Sequence, residues 1–454
     1  MQSSEGMHFT PEPDPDSEPG LGSGASSSSE AFSSLSPIGH AYYASTKLLT
    51  VQFYEDLICR GWRRSGTILY KPDLKASCCP HYTIRLDSLV FKATKDQRQA
   101  LNRFNRFILG DDVIAKNARV RPKSREEAAK KRTQFNLLER VHESERYNLA
   151  TSPVPAHDFV VTLEPDNFTE EKYAVFQNYQ RLVHREPSWK ISRNGFKTFL
   201  CDSPLVRESA IHVGKERRLG SYHQCYRLDG RLVAVGVLDL LPHAVSAVYF
   251  MYHEDLSKWS PGKLSALREA ALAVEEGYRW YMMGFYIHSC QKMRYKGDFH
   301  PQFILDPESY KWDPLDDQMK RRLDESKYVS SSHGMIVAAS EAATPEADRG
   351  NNVADIEVQR DSAISSDDDV VGEEPALVPL FGRGMPGIMT RPELESLDLG
   401  GIKVRISGQL HEVREFLGWN AASFDDPNSI KCLIGDLVAA LGPDLAGRMF
   451  ILLG

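Results

Sequence analysis

The alternation of apolar and polar residues divides the chain into stretches that can bury a core and stretches that cannot. Residues 1–36 are rich in Ser, Pro, Gly and Glu and nearly lack large apolar side chains, so they are expected to be a disordered tail. Over 37–110 the pattern predicts a small folded unit: a helix at 48–58, strands at 67–70 and 82–86, and an amphipathic helix at 95–108 with Leu101, Phe104 and Ile108 on one face. Residues 111–156 read as a basic helical connector. There Lys116, Arg119, Arg121, Lys123, Arg125, Lys130, Lys131 and Arg132 outweigh Glu126 and Glu127, as in a solvated linker or a patch that tracks phosphate. A second unit spans 157–328. It opens with a strand at 159–163 and a helix at 169–184 that buries Phe168, Tyr173, Phe176 and Tyr179. Strands follow at 221–228, 232–240 and 247–252, the first two joined by a hairpin turn at Asp229-Gly230. A helix at 261–276 has Ser260 as N-cap and Pro261 in its first position, and a strand at 280–287 completes the unit. Residues 329–374 form a Ser/Asp/Glu-rich linker expected to be disordered. Residues 375–454 regain apolar content, with a helix at 430–441, and read as a small appended element without evident chemistry.

This order of elements predicts an α/β (α+β) protein whose larger unit is N-acetyltransferase-like (GNAT-like), preceded by a smaller N-terminal domain. Composition narrows the setting. At 454 residues and 41% hydrophobic content the chain can hold more than one core. No apolar run reaches the roughly 18 residues of a membrane span, and no signal-peptide h-region is present. Seven cysteines are few and odd in number, which argues for a reducing compartment, the cytoplasm or also the nucleus, over a disulfide scaffold. The net charge of −7 excludes a globally basic nucleic-acid binder, although much of the acid sits in the tails.

The chemistry concentrates in a few blocks. Tyr281-Met-Met-Gly-Phe-Tyr-Ile-His-Ser-Cys-Gln-Lys-Met-Arg-Tyr-Lys-Gly297 runs apolar and then abruptly basic, as a strand does when it delivers a cationic, aromatic loop to an anionic ligand. Upstream lie Gly220-Ser-Tyr-His-Gln-Cys-Tyr226 and Gly230-Arg-Leu-Val-Ala-Val-Gly-Val-Leu-Asp239. Nearer the start lie Asp56-Leu-Ile-Cys-Arg-Gly-Trp-Arg-Arg-Ser-Gly66, Tyr70-Lys-Pro72 and Cys78-Cys-Pro-His-Tyr-Thr-Ile-Arg85. Together and in this order, the blocks closely resemble the eukaryotic arginyl-tRNA–protein transferase family, its fungal members in particular, over residues 41–110 and 157–315.

The resemblance implies transfer of arginine from arginyl-tRNA to the α-amine of proteins beginning with Asp or Glu, which marks them for ubiquitin-dependent degradation. It implies arginyl-tRNA and acidic N-termini as partners, with a monomeric enzyme expected and no membrane involved. The aminoacyl ester is already activated, so no cofactor is required for the chemistry. Such an enzyme must position the amine, handle one proton and stabilise an oxyanion. Candidate catalytic residues are His223, Gln224 and His288, with His223 alternatively a hydrogen-bonded strand histidine. Arg63, Arg64, Lys71 and Arg85 are candidates for reading an acidic N-terminus, or else ordinary surface cations. Asp239 is the candidate receptor for the arginyl guanidinium, with Glu254 and Asp255 as exposed rivals. Tyr249 and Tyr252, read as sharing one strand face, and Tyr286 line the pocket, or pack in the core. Lys292, Arg294 and Lys296 are the candidate tRNA contacts.

In the family, a Cys-Cys pair works with an N-terminal Cys-x-x-Cys to hold zinc or an iron–sulfur cluster. Here Cys78 and Cys79 are present but that partner motif is not, so they are half of a metal site or simply small side chains. Two other readings stay open. A non-catalytic relative would bind tRNA or acidic N-termini without turnover. An acetyl-CoA-dependent transferase is disfavoured by Lys258-Trp-Ser-Pro-Gly-Lys263, which keeps one glycine of the pyrophosphate turn and loses a backbone donor at Pro261.

Overall fold

The computed structural model describes residues 30–35, 41–120, 122, 124–126, 135–149, 154–212, 214–332, 378–406 and 409–452. Strands are numbered in chain order. In the first part are β1 (Glu30–Leu35), β2 (Ala41–Ser45), β3 (Arg63–Ser65), β4 (Ile68–Pro72) and β5 (Tyr82–Asp87). The middle holds β6 (Phe159–Pro165), β7 (Glu208–His212), β8 (Lys215–Leu228), β9 (Arg231–Leu240), β10 (Ala244–Tyr252), β11 (Trp280–Tyr286), β12 (Gln302–Leu305) and β13 (Trp312–Pro314). The last part adds β14 (Lys403–Ile406), β15 (Gln409–Glu412) and β16 (Met449–Leu452).

Two mixed sheets result, so the chain is an α/β protein of the expected class. The larger runs β13-β12-β5-β11-β10-β9-β8-β6, with β7 paired to β8. The smaller runs β15-β14-β16-β1-β2-β4-β3. Asp229 and Gly230 both take positive φ, 52° and 80°, and make the tight β8–β9 hairpin that the sequence predicts.

Helices cover both faces of the larger sheet. Helix α1 (Val51–Ile58) is capped by Thr50, whose side chain accepts from the Phe53 amide. Helix α2 (Lys95–Leu109) begins with a capping box between Thr94 and Gln97 and buries Leu101, Phe104 and Ile108 as expected. Helix α3 (Glu170–Tyr179) buries Tyr173 and Phe176 and continues as a π turn over Gln180–His184. Helix α4 (Pro261–Glu275) has Pro at its first position, but Ser260 sits in the left-handed region at φ 57° and makes no side-chain cap. On one sheet face Cys225, Val235, Val237 and Met251 pack against Tyr173, Phe176 and Phe196; on the other Tyr226, Val233 and Ala234 pack against Phe104 and Ile108.

Three organisational expectations change. Strand β5, from the N-terminal unit, lies between β12 and β11 inside the larger sheet, so the two units share one sheet. Glu30–Leu35, expected in the tail, pairs with β16 and β2. Residues 378–452 are therefore no mere appendage. They add three strands to the smaller sheet, and Ala440 in helix α5 (Ile430–Leu441) accepts a hydrogen bond from the buried Trp62 indole at 3.3 Å. The rest of the tail, most of the acidic linker, and Arg121, Lys123, Lys130, Lys131 and Arg132 of the connector lie outside the described residues.

Candidate active site at the splayed strands

Parallel strands β10 and β11 pair only at Ala244↔Trp280, Val245↔Tyr281 and Ser246↔Met282. Beyond that level both strands lose register with their outer neighbours. Strand β10 shifts against β9 between Ala247 and Tyr249, and β11 shifts against β5 between Met282 and Phe285. Bulges on facing strands bend each away from the other and leave backbone groups without ladder partners. Lys296 fills part of the gap: its ammonium donates to the carbonyls of Met283 at 2.9 Å and Phe285 at 3.0 Å. Gly284 sits here at φ 78°, in the left-handed region that favours glycine.

The gap is a cleft of about 60 Å³ lined by Tyr54, Arg63, Arg64, Tyr70, Ser246, Ala247, Val248, Gly284 and Phe285. Strand β3 delivers two consecutive arginines to it, and they behave differently. Arg64 donates through Nε to Asp239 Oδ2 at 2.8 Å and through Nη2 to Asp239 Oδ1 at 2.7 Å, with further bonds to Ser221 Oγ and the Gly66 carbonyl. Arg63 is 6% exposed and bonds only the Trp62 carbonyl through Nη1; its Nε and Nη2 have no partner. Its guanidinium lies 5.1 Å from the Phe285 ring centroid, and burial lowers its pKa. A buried guanidinium with two unanswered donors, facing a cleft of water-accessible size, is a receptor for an anion.

The other predicted site residues separate. Asp239 is not open to a substrate guanidinium, because both its oxygens are committed to Arg64, which is likewise not free to read a substrate. Lys71 points elsewhere: its ammonium donates to the Arg60 carbonyl beside the Tyr310 ring, and burial lowers its pKa to about 7. Arg85 is sandwiched between the Trp280 and Trp312 rings at 3.7 and 4.1 Å, and burial takes its pKa down to about 10. The four cations therefore do not form one site.

His223 is fully buried; its Nε2–H donates to the Leu200 carbonyl at 3.0 Å, and its Nδ1 has no partner. Burial, helped by the nearby Lys172 charge, lowers its pKa to about 4. Gln224 accepts from the Tyr226 hydroxyl at 2.7 Å. Neither reaches the cleft, because β8 is separated from it by β9 and β10. His288 is also engaged elsewhere, with Nδ1 2.6 Å from the Tyr286 hydroxyl and Nε2 2.8 Å from Asp324 Oδ1. Tyr286 is thereby buried in that chain of contacts, its pKa raised to about 12 by burial, and does not line the cleft.

Tyr249 and Tyr252 lie on opposite faces of β10, as a spacing of three requires in a strand: Tyr249 packs with the Tyr173 cluster and Tyr252 with the Phe104 cluster. Glu254 and Asp255 are exposed, as expected. Lys292 and Arg294 are exposed and can meet phosphate, whereas Lys296 turns inward as described. Cys78 is exposed and Cys79 half-buried, both as free thiols. Among the described residues no third His, Cys, Asp or Glu joins them in a cluster, so the residues described do not fit a complete four-ligand zinc or iron–sulfur site.

Missed by the sequence reading are Tyr54, Tyr70 and Phe285 as cleft walls and the asymmetry between Arg63 and Arg64. Both arginines line the cleft; what separates them is Asp239, 175 residues from Arg64 and out of reach of any local pattern.

Known proteins similar to this chain are of one kind. Residues 24–99 match the family model "Arginine-tRNA-protein transferase, N terminus", and residues 171–306 match the corresponding C-terminus model. These define the class, a tRNA–protein transferase. The chain is 31% identical to arginyl-tRNA–protein transferase 1 of Drosophila melanogaster, an alignment covering 65% of this chain and 81% of that protein. It is 32% identical to the Saccharomyces cerevisiae protein of the same name, over 59% of this chain and 51% of that one. A bacterial aspartate/glutamate leucyltransferase from Stutzerimonas stutzeri is 35% identical over 30% of this chain and 53% of its own length. The chain belongs to the arginyl-tRNA–protein transferase family. Among solved structures, L-PGS from Bacillus licheniformis has a TM-score of 0.26 at 11% identity over 46% of this chain and 45% of that one, too slight to carry an argument.

Proposed function

We propose that this enzyme transfers arginine from arginyl-tRNA to the α-amine of proteins that begin with Asp or Glu, and that Arg63 reads the acidic side chain in the cleft between β10 and β11. Family membership supports the transfer. The unpartnered Nε and Nη2 of Arg63 support the acidic specificity, because a carboxylate satisfies both donors while a neutral side chain leaves a buried charge unanswered. The arrangement is GNAT-like: strand β10, helix α4 and parallel strand β11 form one crossover, and the two strands part where substrates would meet.

The reaction balances without a cofactor. The acceptor nitrogen attacks the ester carbonyl, a C–N bond forms, the bond to the ribose oxygen breaks, and the proton shed by the amine passes to the departing oxygen. No histidine lines the cleft among the described residues. Rate acceleration then rests on holding amine against ester and on the positive field of the cleft. The acceptor, once it carries N-terminal arginine, becomes a substrate for ubiquitin-dependent degradation.

The test is transfer of labelled arginine from arginyl-tRNA to peptides beginning Asp, Glu, Asn or Ala. Incorporation into the Asp and Glu peptides alone is expected. Equal incorporation into all four would overturn the acidic specificity, and dependence on acetyl-CoA rather than arginyl-tRNA would overturn the reaction.

A further inference from the structure

One exposed surface beside the cleft has no role in the chemistry above. Strand β10 leaves the cleft at Val248, and the next residue, Tyr249, faces the segment that follows helix α3. Its hydroxyl accepts from Gln180 Nε2 at 3.1 Å and lies 3.4 Å from His184 Nε2. The His184 ring also meets Tyr179 edge-on at 4.9 Å. These contacts fix the π turn over Gln180–His184, and Arg185, at φ 61°, reverses the chain immediately after it. At the far end, the Tyr173 hydroxyl holds the Ile191 carbonyl at 3.3 Å.

What is held between these anchors is polar and basic around one large ring. Trp189 is 77% exposed, on a short 3-10 turn over Ser188–Lys190, with the Lys190 ammonium 5.2 Å from its ring centroid. Along the chain beside it Arg181, Arg185 and Lys190 are exposed, with Glu186 the acid among them; Arg181 also lines a hollow with Arg231 and His253. None of Arg181, Arg185 and Lys190 pairs with a carboxylate among the described residues. Burial lowers the His184 pKa, and the charge of Lys292, on the loop after β11, adds to that lowering. An exposed indole among unpaired cations, fixed at both ends, is a stacking platform for an unpaired base whose phosphates need neutralising.

We propose that the Trp189 protrusion receives the single-stranded 3′ end of the tRNA, one base stacking on the indole while Arg181, Arg185, Lys190 and Lys292 neutralise adjacent phosphates, so that the strand runs past His184 and Tyr249 into the cleft. This rests on arginyl-tRNA being the donor. The partner is thus a nucleic acid end, not a duplex and not the acceptor protein.

The measurement is binding of intact tRNA and of the same tRNA trimmed of its 3′ CCA to the full-length enzyme and to its Trp189→Ala and Trp189→Phe variants. The side chain is largely in solvent, so unchanged thermal melting is expected for both variants. Trp189→Ala should weaken intact tRNA about tenfold, the range expected for one lost stack, and Trp189→Phe should restore most of it. With trimmed tRNA the wild type and Trp189→Ala should bind alike. In turnover, the KM for arginyl-tRNA should rise with kcat and the peptide KM unchanged. Unaltered affinity for intact tRNA would overturn the proposal, as would an equal loss on trimmed tRNA or a rise confined to the peptide KM. Because Arg63→Met should instead lower acidic-peptide transfer at normal tRNA affinity, failure here is distinguishable from failure of the acidic-specificity reading.

Discussion

His223 and Arg63 both carry buried nitrogens without a partner, yet only one belongs to a site. His223 lies inside a continuous ladder, its strand paired to Glu164 on one side and Val237 on the other. Its environment is closed, and the ring adapts by giving up its proton. Arg63 cannot neutralise itself near physiological pH, and it faces a gap where two strands have parted. An orphan polar atom therefore points to function when it meets open space and cannot discharge. In a sealed sheet it is a tolerated cost.

The contrast between Arg63 and Arg64 can be broken in several ways. The largest effect is expected from Asp239→Ala, which strands the Arg64 guanidinium in a buried site and should cost about 3–5 kcal/mol in urea unfolding. A shift below about 1 kcal/mol would show that this pair is not the structural one. For His223 the folded value of about 4 lies below the ordinary 6.5, so as pH falls the unfolded chain binds the proton first. Stability present above pH 6.5 is then lost between 6.5 and 4 and is level below that, by about 3 kcal/mol in total. His223→Gln should flatten that part of the pH profile while leaving transfer within about twofold of wild type; a large loss of transfer at pH 7.5 would return His223 to the catalytic machinery.

Arg63→Met keeps the apolar stem over Phe285 and removes the charge. Transfer to Asp and Glu peptides should fall roughly 100-fold, with stability unchanged or improved, because an unpaired buried charge is gone. If stability dropped as for Asp239→Ala, Arg63 would be structural too. The smallest effect is expected from Gly284→Ala, where a side chain at φ 78° costs about 1–2 kcal/mol. Strain at this cleft-lining position should slow transfer more than it weakens tRNA binding, and kinetics with each substrate varied separately would check this.

Much of the local structure was legible. Asp229-Gly230, Pro261 and the apolar run at 430–441 announce a hairpin, a helix start and a buried helix through chemistry confined to a few residues. The site was less so, because it is made by pairings far apart in sequence. Arg64 and Asp239 are 175 residues apart, and no periodicity reveals that they neutralise each other. The strand reading placed Tyr249 and Tyr252 together although a two-residue period sets them on opposite faces. Lys296 looked like one more surface cation because the carbonyls it serves exist only once β10 and β11 separate.

The insertion of β5 between β11 and β12 has a consequence for biosynthesis. Residues 82–87 leave the ribosome well before their partners at 280–286 and 302–305 exist. At roughly 5–20 residues per second, that strand waits about 10–40 s with both edges unpaired. Its six residues, five of them buried once folded and threonine and isoleucine among them, are the kind of segment that nascent-chain chaperones shield. Translation speed between the two family segments, and not only the stability of the finished sheet, should therefore govern how much active enzyme a cell obtains.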